Sequence, residues 1–318
     1  MAEKLICVVG PTACGKTRLG VLLAQKYNGE VVSCDSMQIS RGMAIGTAAA
    51  TSAEMEGVPH HMLAVADPAE SWSAARYVSA ATSVVEDILA RGRRPVLVGG
   101  TGLWLDALLR GHAFAPGMAG GAVRTELEAR LAQDGIGPLW EELRRADPVA
   151  AEKLHPADVK RILRALEVFR ETGQTLSAHD AAERALPPKF ASVKIGLRFA
   201  DREDMKALID RRVDAMVAAG LLDEVRSLLN RGLPRSATAL QAIGYKEFAG
   251  VLAGEKTEAE TEAEAVEEVK LRSRQYAKRQ LTWLRRDSDI HWIEWEKNRD
   301  FARALQISTE ILSAEGLS

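Results

Sequence analysis

Residues Gly10-Pro11-Thr12-Ala13-Cys14-Gly15-Lys16-Thr17 spell G-x-x-x-x-G-K-T, the pattern of a phosphate-binding loop. The glycines let backbone N–H groups converge on one point, and a helix beginning at Lys16 would aim its N-terminus there. Lys16 adds a positive point charge, and the Thr17 hydroxyl is suited to a Mg²⁺ ion. Two further polar clusters interrupt apolar runs. Asp35 follows Val31-Val32-Ser33-Cys34 and leads Ser36-Met37-Gln38. A carboxylate in that position can take a proton from a nucleophile, or simply shape a turn. Thr101 lies in Gly99-Gly100-Thr101-Gly102. By position alone it reads as a cap of the helix that follows.

The chemistry needs elements to hold it. Leu5–Val9 is a short apolar run of the kind that forms a buried parallel strand. Residues 30–34 and 95–98 read the same way, and residues 73–91 carry apolar positions at helical spacing. Repeated βα units predict an α/β fold, a parallel sheet with helices on both faces. The three polar clusters then fall at the carboxyl ends of neighbouring strands, where such sheets bind ligands. From residue 115 the pattern changes. Pro116 to Gly121 is a flexible stretch, Leu186-Pro187-Pro188 closes the segment, and only helical periodicity lies between. Residues 192–199 return as a strand. The expected organisation is a core over 1–114, a helical insertion over 115–190, and the rest of the core over 191–318.

The 318 residues are 47% apolar and 27% charged, an ordinary globular composition with net charge −2. No run is long enough for a membrane span. The first strand begins too early for a leader peptide, and three cysteines make no disulfide or metal framework, so a cytoplasmic monomer is expected. Cys14 and Cys34 flank the phosphate and carboxylate clusters. A thiol at a helix N-terminus tends towards a lowered pKa, so the pair reads as redox-sensitive or as two inert buried thiols. The charge is uneven. Residues 255–268 hold seven glutamates, and residues 270–286 hold seven Lys or Arg and no acid. That stretch reads as a polyanion track or as a solvated face paired with the glutamates.

Further segments narrow the reading. They are Pro59-His60-His61-Met62, Arg161-Ile162-Leu163-Arg164-Ala165-Leu166-Glu167-Val168, Ala242-Ile243-Gly244-Tyr245-Lys246-Glu247 and Tyr276-Ala277-Lys278-Arg279-Gln280-Leu281-Thr282-Trp283. With the Asp35 and Thr101 motifs, in this order and spacing, they resemble the bacterial tRNA dimethylallyltransferases, also called tRNA isopentenyltransferases. The likeness runs from Leu5 to about Trp295. It implies a P-loop kinase-like core with a helical insertion that grips the anticodon stem-loop of tRNA. It also implies Mg²⁺-assisted transfer of a dimethylallyl group from dimethylallyl diphosphate to the N6 amine of the adenosine 3′-adjacent to the anticodon.

On that resemblance the diphosphate falls to Gly10 through Thr17 and to Arg212, and Mg²⁺ falls to Thr17. Asp35 and Thr101 become the catalytic pair. The tRNA contacts fall to Asp35, Ser36, Met37, Gln38, Val159, Lys160, Arg161, Ile162, Leu163, Lys278 and Arg279. Trp283 reads as core rather than as a stacking platform. His60 and His61 carry no assigned chemistry. Departures from the family pattern are Cys14 for serine, Ser40 for tyrosine, Trp104 for tyrosine and Ala157 for asparagine. A kinase using ATP would share the loop, but has no need of the Asp35, Thr101 and Tyr276–Trp283 segments.

Overall fold

The computed structural model describes residues 4–115, 121–253 and 258–317, with the side chains of 258–261 excluded. Residues 116–120, most of the expected flexible stretch, and Glu255 of the acidic run lie outside the described residues. The chain forms two compact units, Met1–Gly111 with Lys189–Ser318, and His112–Pro188.

In the first unit the elements run in βα order. They are β1 (Leu5–Val9), α1 (Lys16–Lys26), β2 (Gly29–Ser33), the short helices α2 (Ala44–Thr47) and α3 (Ser52–Met55), β3 (His60–His61), α4 (Ala74–Ala90), β4 (Arg94–Gly99) and α5 (Gly102–Arg110). The second unit holds α6 (Ala122–Asp134), α7 (Ile136–Ala146), α8 (Pro148–Lys153), α9 (Val159–Thr172) and α10 (Leu176–Ala185). The first unit resumes with β5 (Ser192–Phe199), α11 (Arg202–Ala218), α12 (Leu221–Asn230), a 3₁₀ turn at Ala239–Gln241, α13 (Tyr245–Val251), α14 (Glu258–Leu284), β6 (Ile290–Trp295) and α15 (Phe301–Ala314).

The six strands form one sheet in the order β3-β2-β4-β1-β5-β6, parallel throughout. Every residue of β1 is buried, which is why that run is apolar without alternation; every residue of β2 is buried too, including the polar Glu30 and Ser33. Ile6, Val8, Ile195 and Leu197 pack with Leu19 and Leu23 of α1 and with Ala304 and Leu312 of α15. A second apolar cluster joins Leu221, Tyr245 and Phe248 to Val269 of α14. β1 lies between β4 and β5, so the loop that leaves it emerges where the chain turns to both sides of the sheet, at a topological switch point.

The helical unit has its own core. Leu127, Leu139, Leu143, Ile162, Leu163 and Leu166 are buried together. Three of its helices, α8, α9 and α10, are capped by side chains: Asp147 accepts from Ala150 N, Asp158 from Arg161 N and Thr175 from Ala178 N. No helix among the described residues is long and apolar enough to cross a membrane.

Candidate active site

Residues 10–17 form a tight turn between β1 and α1. Ala13 takes a left-handed conformation at φ 65° and Gly15 at φ 92°. Gly15 caps α1 without any side-chain hydrogen bond, so the first N–H groups of the helix are left for a ligand. The loop carbonyls are tied back. Trp295 Nε1 donates to Cys14 O at 2.8 Å, Arg299 donates to Ala13 O at 3.3 Å, and Lys16 Nζ donates to Pro11 O at 2.8 Å. With the carbonyls held outward, the loop presents its positive dipole ends.

Asp35 is fixed by the strand ends on either side of it. Cys34 N donates to Val98 O and Thr101 N to Cys34 O, stitching β2 to β4 just past both strands. Tyr77, stacked on Trp104 at 4.1 Å, donates its hydroxyl to Ser33 O. Asp35 Oδ1 accepts from Met37 N at 2.9 Å and Gln38 N at 3.4 Å. Among the described residues no hydrogen bond falls on Oδ2. The carboxylate is therefore oriented through one oxygen and offers the other.

Loop and carboxylate share a cavity of about 780 Å³. Lys16, Thr17, Asp35, Ser36, Met37, Gln38, Arg211, Arg212, Tyr276, Arg279, Gln280 and Arg299 all line it. Its charged lining is six cations against two carboxylates, Asp35 and Glu54, so it suits a polyanion. Burial holds the Arg212 guanidinium below its usual pKa, and the nearby Asp35 carboxylate opposes that shift. Burial pushes the Tyr276 phenol up to about 12; the Asp35 charge adds to the push, and hydrogen bonding with Thr101 opposes it. Tyr276 is therefore a neutral hydroxyl beside the carboxylate at any working pH.

A family model described as IPP transferase matches residues 38–287 of this chain. The tRNA dimethylallyltransferase of Halalkalibacterium halodurans is 44% identical over 294 residues, 92% of each chain. That of Geobacillus thermodenitrificans is 43% identical over 302 residues, 95% of this chain and 94% of its own. This chain belongs to the IPP transferase family. The fold agrees with solved structures of the family. The full-length tRNA isopentenylpyrophosphate transferase of Bacillus halodurans, 41% identical, superposes with a TM-score of 0.72 over 98% of this chain and 96% of its own. A eukaryotic dimethylallyltransferase acting on tRNA, 30% identical, reaches 0.83 over 98% of this chain and 80% of its own.

The structure places the expected site residues of this family member in different settings. Thr101 stands beside the cavity residue Tyr276, with which its hydroxyl hydrogen-bonds. Its hydroxyl oxygen accepts Ser36 N–H at 3.2 Å, so it braces the turn that carries Asp35. Within the loop, Thr12, Ala13, Gly15, Lys16 and Thr17 line the cavity, whereas Gly10, Pro11 and Cys14 do not. Cys14 and Cys34 are both fully buried free thiols. Burial pushes both up, Cys34 to about 12, and for Cys14 it outweighs the opposing pull of Lys16. The lowered pKa expected of a helix N-terminal thiol is absent, because the sulfur points into the core.

In the helical unit, Lys160 and Arg161 are exposed, but Ile162 and Leu163 are sealed in its core, so their side chains cannot meet RNA. On α14, Arg279 faces the cavity, whereas Lys278 is exposed and outside its lining. Trp283 is not core: its Nε1 donates to Asp106 at 2.9 Å, one ring edge covers Gly102, and Arg286 lies over the ring.

Gln280 is the residue whose role sequence reading missed. It is buried, its Oε1 accepts Thr12 N–H at 2.8 Å, and its Nε2 donates to Gly100 O at 3.1 Å. One amide thus ties the phosphate loop and the Gly99–Gly102 turn to α14. Gln280 and Trp283 of α14 also account for two glycines of that turn. A Cβ on Gly100 would sit 2.1 Å from Gln280 Nε2, and one on Gly102 would sit 2.1 Å from Trp283 Cδ1. The signal was there: Ala277, Gln280 and Leu284 are all buried at helical spacing, so Gln280 is a polar residue on the apolar face.

Proposed function

We propose that this cavity transfers a dimethylallyl group from dimethylallyl diphosphate to the N6 amine of the tRNA adenosine 3′-adjacent to the anticodon. The observation that carries the reading is the meeting of an open-ended phosphate loop, an oriented carboxylate and a cationic wall in one cavity. The diphosphate lies against the amides of residues 13–17 and Lys16, with Arg212 opposite. The amine nitrogen forms a bond to the allylic carbon as the carbon–oxygen bond to diphosphate breaks. Negative charge grows on the departing oxygens, where loop dipoles and Lys16 stabilise it without reorganising. Asp35 Oδ2 hydrogen-bonds the amine, orients it and takes the proton it loses.

Oxygen donors at Thr17, Asp35 and Glu54 around the loop fit Mg²⁺, and Thr17 is the residue we assign to hold it. When bound, the ion neutralises charge on the diphosphate oxygens. The target base must leave its stack to enter a cavity of this kind, at a cost of about a few kcal/mol. Contacts from Met37, Gln38 and the basic end of α14 to the RNA offset it.

The test gives purified protein and unmodified tRNA either dimethylallyl diphosphate or ATP, and weighs the nucleosides after digestion. Dimethylallyladenosine formed with the diphosphate donor is the expected result. Phosphoryl transfer from ATP to a small molecule, with no prenylated nucleoside, would make the protein a kinase and overturn the reading.

A further inference from the structure

Within the helical unit, His112 at its beginning and α10 at its end come together. One ligand atom from each of His112, His179 and Asp180 lies within 4.8 Å of the others. None of the three has a role in the transfer reaction. His179 Nδ1 is buried and makes no hydrogen bond; its nearest acid oxygen, Asp180 Oδ1, is 3.8 Å away. A buried ring nitrogen without a partner is costly unless something satisfies it. Glu183, one turn along α10 from His179, accepts Ala113 N–H at 2.9 Å and lies 3.4 Å from His112 Nδ1. A proton on Nδ1 facing that carboxylate leaves Nε2 of His112 with its lone pair free. A carboxylate behind an imidazole is the usual support of a metal-binding histidine. The two imidazoles meet edge to face, with centroids 6.0 Å apart.

We infer that His112, His179 and Asp180 form a binding site for a divalent transition-metal ion of the zinc class, supported by Glu183. Two imidazoles and one carboxylate suit Zn²⁺, Co²⁺ or Ni²⁺ and not the all-oxygen preference of Mg²⁺. Tetrahedral bonds of 2.0–2.1 Å put ligand atoms roughly 3.3 Å apart, so side-chain rotation must draw the three donors together by up to about 1.5 Å. Three protein ligands leave a fourth position for water. The ion would clip the first residue of the unit to its last helix, and so bind chain segments that are far apart in sequence. It sits outside the cavity residues, and its presence or absence leaves the transfer reading untouched.

The probe is Zn²⁺ titrated into tag-free, chelator-stripped full-length protein against a chromophoric chelator. Co²⁺ is then added in its place and followed by its visible absorption. The wild type should take up one equivalent of Zn²⁺ and give the intense bands of tetrahedral Co²⁺. His112→Ala and His179→Ala should each weaken Zn²⁺ binding at least tenfold. Glu183→Gln should weaken it about 10–100-fold. His155→Ala, on the same unit but outside the cluster, should change nothing. Wild-type protein that takes up no Zn²⁺ and gives no Co²⁺ band overturns the site, and so does undiminished binding in a folded His112→Ala/His179→Ala variant. The Co²⁺ spectrum of the wild type decides the matter even where a variant fails to fold.

Discussion

The middle of α14 and its C-terminal end use the same residue types to opposite effect. In the middle, Lys270 pairs with Asp214 and Glu267, Arg272 with Glu268, and Arg274 with both oxygens of Asp210 at 2.7 Å. Towards its end, Lys278, Arg279, Arg285 and Arg286 make no ion pair among the described residues, and Arg279 faces the cavity. The basic stretch is thus two things at once: a helix bonded to α11, and a cationic edge left unmatched. The helical unit repeats the first pattern, with Arg170 bridging Glu126 and Glu142. Matched charges hold the fold together, and unmatched ones are left for the substrates of the proposed reaction.

The largest effect that tests this division is at the loop itself. Lys16→Ala removes an unmatched cation where leaving-group charge develops, and turnover should fall about 10²–10³-fold. A steady-state assay with the diphosphate donor checks it, and a change of less than tenfold would break the division.

Next comes Gln280→Ala. It strands Thr12 N–H and Gly100 O, each of which would cost about 1–3 kcal/mol when buried without a partner. The melting temperature should drop and the KM for dimethylallyl diphosphate should rise, with kcat less changed.

A pair of variants separates the matched middle of α14 from its free end. Lys278→Ala should reduce the magnitude of the log–log salt slope of tRNA binding by about 0.7–0.9, the loss of one phosphate contact. Arg274→Ala, which breaks a matched pair, should leave that slope alone and cost at most about 1 kcal/mol of stability. Equal slopes in both would mean that the free end of the helix does not meet RNA.

The smallest effect lies at the far end of β2 from Asp35. Glu30 is buried and held by Arg91 and His61; the Arg91 hydrogen bonds pull its carboxyl down to about 2. A depressed carboxylate contributes stability above its unfolded pKa and loses it as pH falls through the folded value. Stability should therefore decline between about pH 4.5 and pH 2, and Glu30→Gln should flatten that limb in acid-unfolding curves.

How much of this was legible in the sequence depended on whether local pattern or tertiary packing decided it. β1 and β4 were readable because strands buried on both faces are plain apolar runs, β5 because Lys194 and Arg198 alternate with buried Val193, Ile195, Leu197 and Phe199, and the loop because its spacing is rigid. β3 was not, because it is two polar residues, His60 and His61, held only by pairing with β2. Motif position placed Thr101, Ile162 and Leu163 in the right segments but could not say which way their side chains turn. A helix has a buried face and an open one, and Lys160 with Arg161 took the open one. Gln280 stood in a segment already singled out, yet its work depends on two loops arriving from residues 12 and 100.

The central claim is that Asp35 acts on the acceptor amine while the loop holds the donor. Single-turnover kinetics of Asp35→Ala, with dimethylallyl diphosphate affinity measured in parallel, test it most directly. The chemical step should slow by about 10²–10⁴-fold while donor affinity stays close to that of the wild type. A single-turnover rate equal to the wild type's would contradict the account.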